Sequence, residues 1–242
     1  PTSVTSFFAV VPKIAAVAVF IRFMNVPFTN AIEQWQIIII FLSIGSMILG
    51  AVAAIGQNNI KRLMAYSSIG HMGYILAGLS TGTISGTQSS LLYLTIYLIM
   101  NLGMFGFIFM MKKENIYYEN INDLSGLSKN SPLLSLGFLI ILFSLAGIPP
   151  LAGFFAKFYV FMSVIQSEMY FLALIGLITS VISAFYYLRI IKIIYFDKSA
   201  KQFDENNDFN IKIPVIISTL IILIYFIYPS SLINLVDLIK FY

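Results

Sequence analysis

SPLLSLGFLIILFSLAGIPPLAGFFAKFYVFMSVIQ, residues 131–166, carries a single charge, Lys157, in an otherwise apolar run. A helix rises about 1.5 Å per residue and about 20 residues span the hydrocarbon of a bilayer, so this run is too long for one straight crossing. Its middle explains the excess: Gly147, Ile148, Pro149, Pro150 and then Gly153. Adjacent prolines remove two backbone donors and clash with the preceding turn, which predicts a helix broken at Gly147–Pro150. At membrane depth such a break survives only where protein or a water-lined cavity covers the freed carbonyls. Lys157, seven residues past Pro150, reaches neither surface easily. A broken helix with a cation beside it points to an ion path rather than a lipid anchor.

Composition agrees with a membrane location. Of 242 residues 59% are hydrophobic and only 10% are charged, and the mean hydropathy is +0.92. A soluble domain cannot hide that much apolar surface, so the expected class is an all-α polytopic membrane protein, with residues 1–242 forming one membrane domain. Long apolar runs without alternation exclude a β-barrel. There is no cysteine, hence no disulfide, thiolate metal site or iron–sulfur ligand set, and the lone His71 argues against haem or a metal centre. The chain begins Pro-Thr-Ser without methionine or signal peptide, from which we expect a fragment whose earlier helices are missing.

Seven apolar spans are predicted, at about 4–24, 34–55, 62–80, 88–111, 132–166 (broken), 169–191 and 213–229. The connecting loops alternate in charge. One set holds ten cations (Lys61, Arg62, Lys112, Lys113, Lys129, Arg189, Lys192, Lys198, Lys201 and Lys212), whereas the other holds two, Arg22 and Lys240. Positive charge concentrates on the cytoplasmic side, which predicts a cytoplasmic start and an external C-terminus. The same distribution accounts for the net charge of +4 without a nucleic-acid partner.

Lys13 follows Pro12 near the centre of the first span. A central lysine facing lipid costs about 2.5–3.5 kcal/mol on insertion scales. It either bonds carbonyls freed by Pro12 or snorkels, or it is a titratable site. In the third span Ser67, His71 and Tyr74 fall at i, i+4 and i+7, a polar stripe on one helix face, with Gly70 and Gly73 allowing a neighbour to come close. Imidazole suits proton relay near neutrality, although a buried histidine is also often a hydrogen-bonded packing residue. Tyr93, Tyr97 and Asn101 line the fourth span at helical spacing. Packing is expected for the tyrosines, and a bond to a partner helix or water for Asn101. Trp35 suits an interfacial belt, and Asn234, Asp237 and Lys240 suit a short helix on the outer interface.

Residues 112–130 (KKENIYYENINDLSGLSKN) are expected to form a solvated connector, with Asp123 in solvent. The tract 196–212 is the most polar in the chain. All ten acidic residues lie in loops, ends or tail, so neither Lys13 nor Lys157 has a carboxylate partner within these spans. Transfer out of water without a counter-charge penalises a cation. A site that takes up and releases protons is the functional reading of both.

NIKRLMAYSSIGHMGY (59–74) and LAGIPPLAGFFAKFYVF (145–161) resemble the two signature stretches of the antiporter-like, proton-translocating membrane subunits. These occur in NADH–quinone oxidoreductase (complex I) and in multisubunit cation/proton antiporters. The opening PTSVTSFFAVVPKIAA (1–16) is similar to the corresponding segment of that family. The resemblance implies a fold of fourteen core helices in two inverted five-helix repeats, of which this chain supplies helices 8–14 and residues 132–166 the broken twelfth. It matches Lys13 to the central lysine of the eighth helix and Lys157 to the titratable residue of the twelfth. His71 corresponds to a polar residue between them. Lysine rather than glutamate at 157 places the resemblance nearest the N branch.

Proton relay through Lys13, His71 and Lys157 is the implied activity, in a subunit that does no redox chemistry. NADH, FMN, iron–sulfur clusters and quinone belong, on this reading, to other subunits. The implied partners are the other membrane-arm subunits, lipid and the missing N-terminal half of the subunit, in a bacterial cytoplasmic membrane. Two rival readings are a subunit of a multisubunit Na⁺/H⁺ antiporter and a structural spacer without transport.

Overall fold

The computed structural model describes residues 2–113, 116–198, 203 and 209–238. Apolar runs become helices because lipid offers no hydrogen-bond partners, so the backbone must satisfy itself. In order these are α1 (Thr2–Asn25), α2 (Ile32–Ile55), α3 (Ile60–Ser80), α4 (Ile84–Met110), a short α5 (Leu127–Asn130), α6 (Pro132–Ala146), α7 (Ala152–Gln166), α8 (Tyr170–Phe196), α9 (Phe209–Ile224) and α10 (Ser230–Asp237). Four stretches are individually long and apolar enough to cross a bilayer: α1, α2 with its leading turn, α4 and α8. The shorter α6 and α7 together make the broken span, and α3 and α9 complete seven.

Boundaries move where capping outweighs hydropathy. Thr83 accepts a hydrogen bond from the Gly86 amide at 3.1 Å, which starts α4 at residue 84 rather than 88. The first turns of α9 lie before the apolar run, and the helix stops at Ile224 instead of continuing to 229. Pro12 lies within a continuous α1.

α4 runs through the middle of the bundle, with α1, α3, α6, α7, α9 and α10 packed around it. The tightest crossing joins α2 to α3. There Gly50 lies against the backbone of Gly70, and Ser43 Oγ donates to Gly73 O at 2.8 Å. Small residues at a crossing let helix backbones approach closely enough for such contacts. Outward faces of α1, α2, α8 and α9 stay apolar: Phe41, Val181 and Phe8 are all well exposed. This is the pattern of a surface meeting lipid or another apolar subunit.

The connector between α4 and α6 departs from the sequence expectation of a solvated loop. Lys112–Lys113 pairs with Ile116–Tyr117 as a two-stranded ribbon, and Ile121, Leu124 and Leu127 are buried. Ile60 N donates to Glu119 O at 2.8 Å, Ile121 N to Asn58 O at 2.9 Å, and Gly126 N to Ile193 O at 3.1 Å. Asp123 caps the turn by accepting from the Asn120 amide at 3.1 Å. The apolar triplet anchors the segment, a signal diluted in the sequence by the surrounding charges. Most of the polar tract 196–212, together with Glu114 and Lys240, lies outside the described residues.

Candidate functional site

The helix break between α6 and α7 creates a polar point inside the bundle. α6 ends at Ala146, and Gly147 turns left-handed at φ 84°, a conformation glycine adopts without the steric cost of a side chain. The Gly147 amide returns to Phe143 O and Ser144 O at 3.1 and 3.0 Å. Ser144 Oγ accepts from the Gly153 amide at 3.0 Å, serving an orphan donor in the first turn of α7. Lys157 then reaches back across the break to the end of α6. Its Nζ donates to Ala146 O at 2.9 Å and to Ser180 Oγ of α8 at 2.9 Å. A carbonyl released by the break is thus covered by an ammonium group only 5% exposed. Nζ also lies 5.2 Å from the ring centroid of Tyr74, within cation–π range.

Lys13 is half-buried midway along α1, and its Nζ donates to Ser68 Oγ of α3. The bond crosses to another helix, which corrects the alternative of a lysine serving carbonyls freed by Pro12. Neither lysine bonds a carboxylate among the described residues.

His71 stands between them on α3. Its Nδ1 meets Tyr93 Oη of α4 at 2.8 Å and its Nε2 meets Tyr187 Oη of α8 at 3.2 Å. Tyr187 Oη in turn bonds Ser67 Oγ. The Tyr97 and Tyr74 rings lie 5.1 and 6.3 Å from the imidazole, centroid to centroid. Tyr74 Oη meets Thr179 Oγ1 at 3.2 Å, beside Ser180, which binds Lys157. The hydroxyls, the imidazole and the two lysines thus form separate bonded groups on α1, α3, α4, α7 and α8: Lys13 with Ser68, Ser67–Tyr187–His71–Tyr93, Tyr74 with Thr179, and Lys157 with Ala146 O and Ser180. A cavity of about 10 Å³ borders Ser67, His71, Tyr74 and Ser183, at the lower bound for holding one water.

Of the residues singled out from sequence, His71 and Ser67 share one bonded cluster through Tyr187, whereas Lys13, Tyr74 and Lys157 each bond a different partner. Four contributors were not singled out: Ser68, Thr179, Ser180 and Tyr187. On α8, Thr179, Ser183 and Tyr187 recur every fourth residue, a polar stripe in an apolar helix that periodicity alone reveals. Tyr93, expected to be packing, holds the histidine. Asn101, expected to bond a partner helix or water, donates to Tyr97 O of its own helix at 2.8 Å.

One end of the bundle is tied by charge. Lys61 Nζ pairs with Glu119 Oε1 at 2.6 Å, and Asn59 Nδ2 donates to Glu119 Oε2 at 2.9 Å. These bonds, from Lys61 first and Asn59 second, hold the Glu119 carboxyl below the usual carboxylate range. Arg189 of α8 donates to Ile55 O, Gln57 O and Asn58 Oδ1 at 3.2, 3.4 and 2.6 Å, covering the C-terminal end of α2. Among the described residues there is no group of three or more His, Cys, Asp or Glu placed to hold a metal ion.

The family model described as "NADH:quinone oxidoreductase/Mrp antiporter, TM" matches residues 1–183. NADH-quinone oxidoreductase subunit N of Pelagibacter ubique is 64% identical over 237 residues, covering 98% of this chain and 50% of that protein. A chain of respiratory complex I from Thermus thermophilus superposes with a TM-score of 0.66 at 27% identity, over 81% of this chain and 44% of that one. A chain of the Mrp complex from Dietzia sp. gives a TM-score of 0.85 at 20% identity, over 97% of this chain and 52% of that one, a likeness of fold alone. The chain thus spans about half the length of the curated relatives it matches.

Proposed function

This chain belongs to the transmembrane family shared by NADH:quinone oxidoreductase and Mrp antiporter subunits, and on that premise we propose that it translocates protons as part of a bacterial complex I. The proposal is carried by one observation: two ammonium groups inside the bundle, each bonded only to neutral oxygens, in a bundle that also encloses His71 between two tyrosine hydroxyls. On this reading Lys13 receives a proton from the cytoplasmic side, His71 and its neighbours pass it on, and Lys157 releases it outward. Charges separated by low-dielectric protein interact over long distances, so occupation of one lysine disfavours occupation of the other and orders the steps.

The chain itself does no redox chemistry on this reading; nicotinamide, flavin, clusters and quinone are the business of other subunits. Residues 1–242 act as one membrane domain. Its partners are the remainder of a subunit of the relatives' length, the neighbouring membrane-arm subunits and lipid. The ten-to-two division of loop cations supports a cytoplasmic N-terminal end and a periplasmic C-terminal end. Identity to subunit N proteins supports the complex I assignment over the antiporter one.

Replacement of Lys157 by Met in the complete subunit, within assembled complex I, tests the proposal. Protons moved per NADH oxidised, measured in sealed vesicles, should fall while the complex still assembles. An unchanged ratio refutes it.

A further inference from the structure

Lys157 Nζ has three neighbours, and they differ in the hydrogen bonds they can make. Ala146 O, at 2.9 Å, only accepts. The face of the Tyr74 ring, whose centroid is 5.2 Å from Nζ, attracts a cation. Ser180 Oγ, also at 2.9 Å, belongs to a hydroxyl, which both accepts and donates. The stem of the lysine is held as well. It lies against Gly147, where a Cβ would stand 2.9 Å from Lys157 Cδ and 3.1 Å from Nζ. Ala146, Tyr74 and Lys157 are enclosed, whereas Ser180 is only partly buried, on the flank of α8.

Protonated, the amino group has three N–H donors and no acceptor; neutral, it has two N–H donors and one lone pair. A carbonyl, a hydroxyl oxygen and a ring face all suit the ammonium form. Loss of a proton leaves a lone pair inside the bundle, and a buried polar site without a partner is costly. Neither Ala146 O nor the ring face can donate to it. Ser180 can, by turning its O–H toward Nζ while Ala146 O keeps one N–H of the amine.

Resting on the proton-translocation reading, we propose that Ser180 is a positioning residue for Lys157, a reversible hydrogen-bond partner that holds the nitrogen in one place in both its charged and its neutral form. The lysine then changes charge without changing position. Rotation of one hydroxyl replaces a swing of the four-carbon side chain, which its seat against Gly147 opposes. When the amine is protonated again the hydroxyl turns back, so the cycle closes without carrying any proton in reverse.

The titratable groups around the site are few. α3 brings Tyr74 and, 6.3 Å beyond it between ring centroids, His71. α4 brings Tyr93, stacked on Tyr74 at 6.0 Å, and α8 brings Tyr186, which shares a cavity wall with Tyr74. α6 carries no titratable residue, and α9 carries only Lys212 in its first turn. Tyr225, just past α9, packs on Phe155, on the opposite face of α7 from Lys157.

The test uses the complete subunit in assembled complex I, carrying Ser180→Ala, Ser180→Thr, Ser180→Val or Lys157→Met, with protons moved per NADH oxidised measured across pH in sealed vesicles. Subtracting the Lys157→Met ratio at each pH leaves the part that depends on Lys157. A hydrogen bond to a charged group is roughly twice as strong as one between neutral groups, so losing the hydroxyl harms the ammonium more than the amine. The alkaline limb of that part should therefore move about one unit to lower pH in Ser180→Ala and Ser180→Val. Ser180→Thr keeps the hydroxyl and should follow wild type. A serine that only packs changes the ratio equally at every pH or not at all, and either result overturns the inference. So does a Thr variant that behaves like the Val variant, which has the same shape. A lowered ratio in Lys157→Met with the serine variants at wild type leaves the translocation reading standing without Ser180. An unchanged ratio in Lys157→Met removes both. If Ser180→Ala does not assemble, the Thr and Val pair decides; if none of the three assembles, Ser180 holds the packing and the inference is overturned.

Discussion

Gly50 and Gly70 face each other where α2 crosses α3, yet they should respond oppositely to the same substitution. A Cβ placed on Gly50 lies 2.7 Å from Gly70 Cα and 2.9 Å from Tyr66 O, both backbone atoms that cannot swing aside. Carbon atoms rest at about 3.5–4.0 Å, so Gly50→Ala must drive the two helices about 1 Å apart. A Cβ on Gly70 meets Gly50 Cα at 3.8 Å, an ordinary contact. Alanine favours a helix interior over glycine by about 0.5–1 kcal/mol, which Gly70→Ala should keep as a small gain. Gly50→Ala makes the same gain against an overpacking cost of about 1–3 kcal/mol, for a net loss of about 1 kcal/mol at mid-range and about 2.5 kcal/mol at most. A loss of about 1 kcal/mol lowers the ratio of folded to unfolded protein roughly 5-fold. The assay is thermal aggregation of the complete subunit, fluorescently tagged and in detergent, comparing the two variants with wild type. Gly50→Ala should aggregate at a lower temperature than wild type, and Gly70→Ala at the same or a higher one. Equal shifts in the two variants would refute the reasoning, because the argument rests wholly on which glycine's Cβ points into backbone.

Two further outcomes follow from local bonds. Ser144→Ala removes the acceptor of the buried Gly153 amide at the helix break, and leaving such a donor unsatisfied costs about 1–3 kcal/mol; the variant should melt earlier than wild type, and Ser144→Thr should recover part of the loss. Glu119 has its carboxyl lowered by Lys61 and Asn59, so its contribution is present above its unfolded value near pH 4.3 and disappears as pH falls through the lower folded value. With a half-exposed carboxylate the contribution is at most about 1 kcal/mol; melting curves of wild type and Glu119→Gln should differ at pH 7 and converge toward pH 3.

Legibility in the sequence followed the kind of force involved. Hydropathy located all seven spans, and the Pro149–Pro150 pair located the break to within a residue or two, because lipid exclusion and a missing N–H act through the local chain. Lys13, His71 and Lys157 were recognisable for the same reason: a polar side chain in an apolar run is conspicuous wherever it ends up. Tyr187 and Ser180 were not, since tyrosine and serine are ordinary in such spans and gain meaning only from what faces them across a helix crossing. The connector 112–130 misled because its charges dominate its composition while Ile121, Leu124 and Leu127 decide where it sits.

Sequence alone settles that this chain is a bundle of membrane spans, one of them broken, with two lysines and a histidine set in otherwise apolar runs. Transfer out of water is so costly for peptide and charged groups that composition and spacing leave no other placement. Which oxygen each of those groups meets is decided only by tertiary packing. The meeting of Lys157 with Ala146 O and Ser180, of Lys13 with Ser68, and of His71 with two tyrosines depends on helix crossings set by glycines and small side chains far apart in the chain. Hydrogen bonds form over about 3 Å, and no one-dimensional pattern specifies distances between helices on that scale.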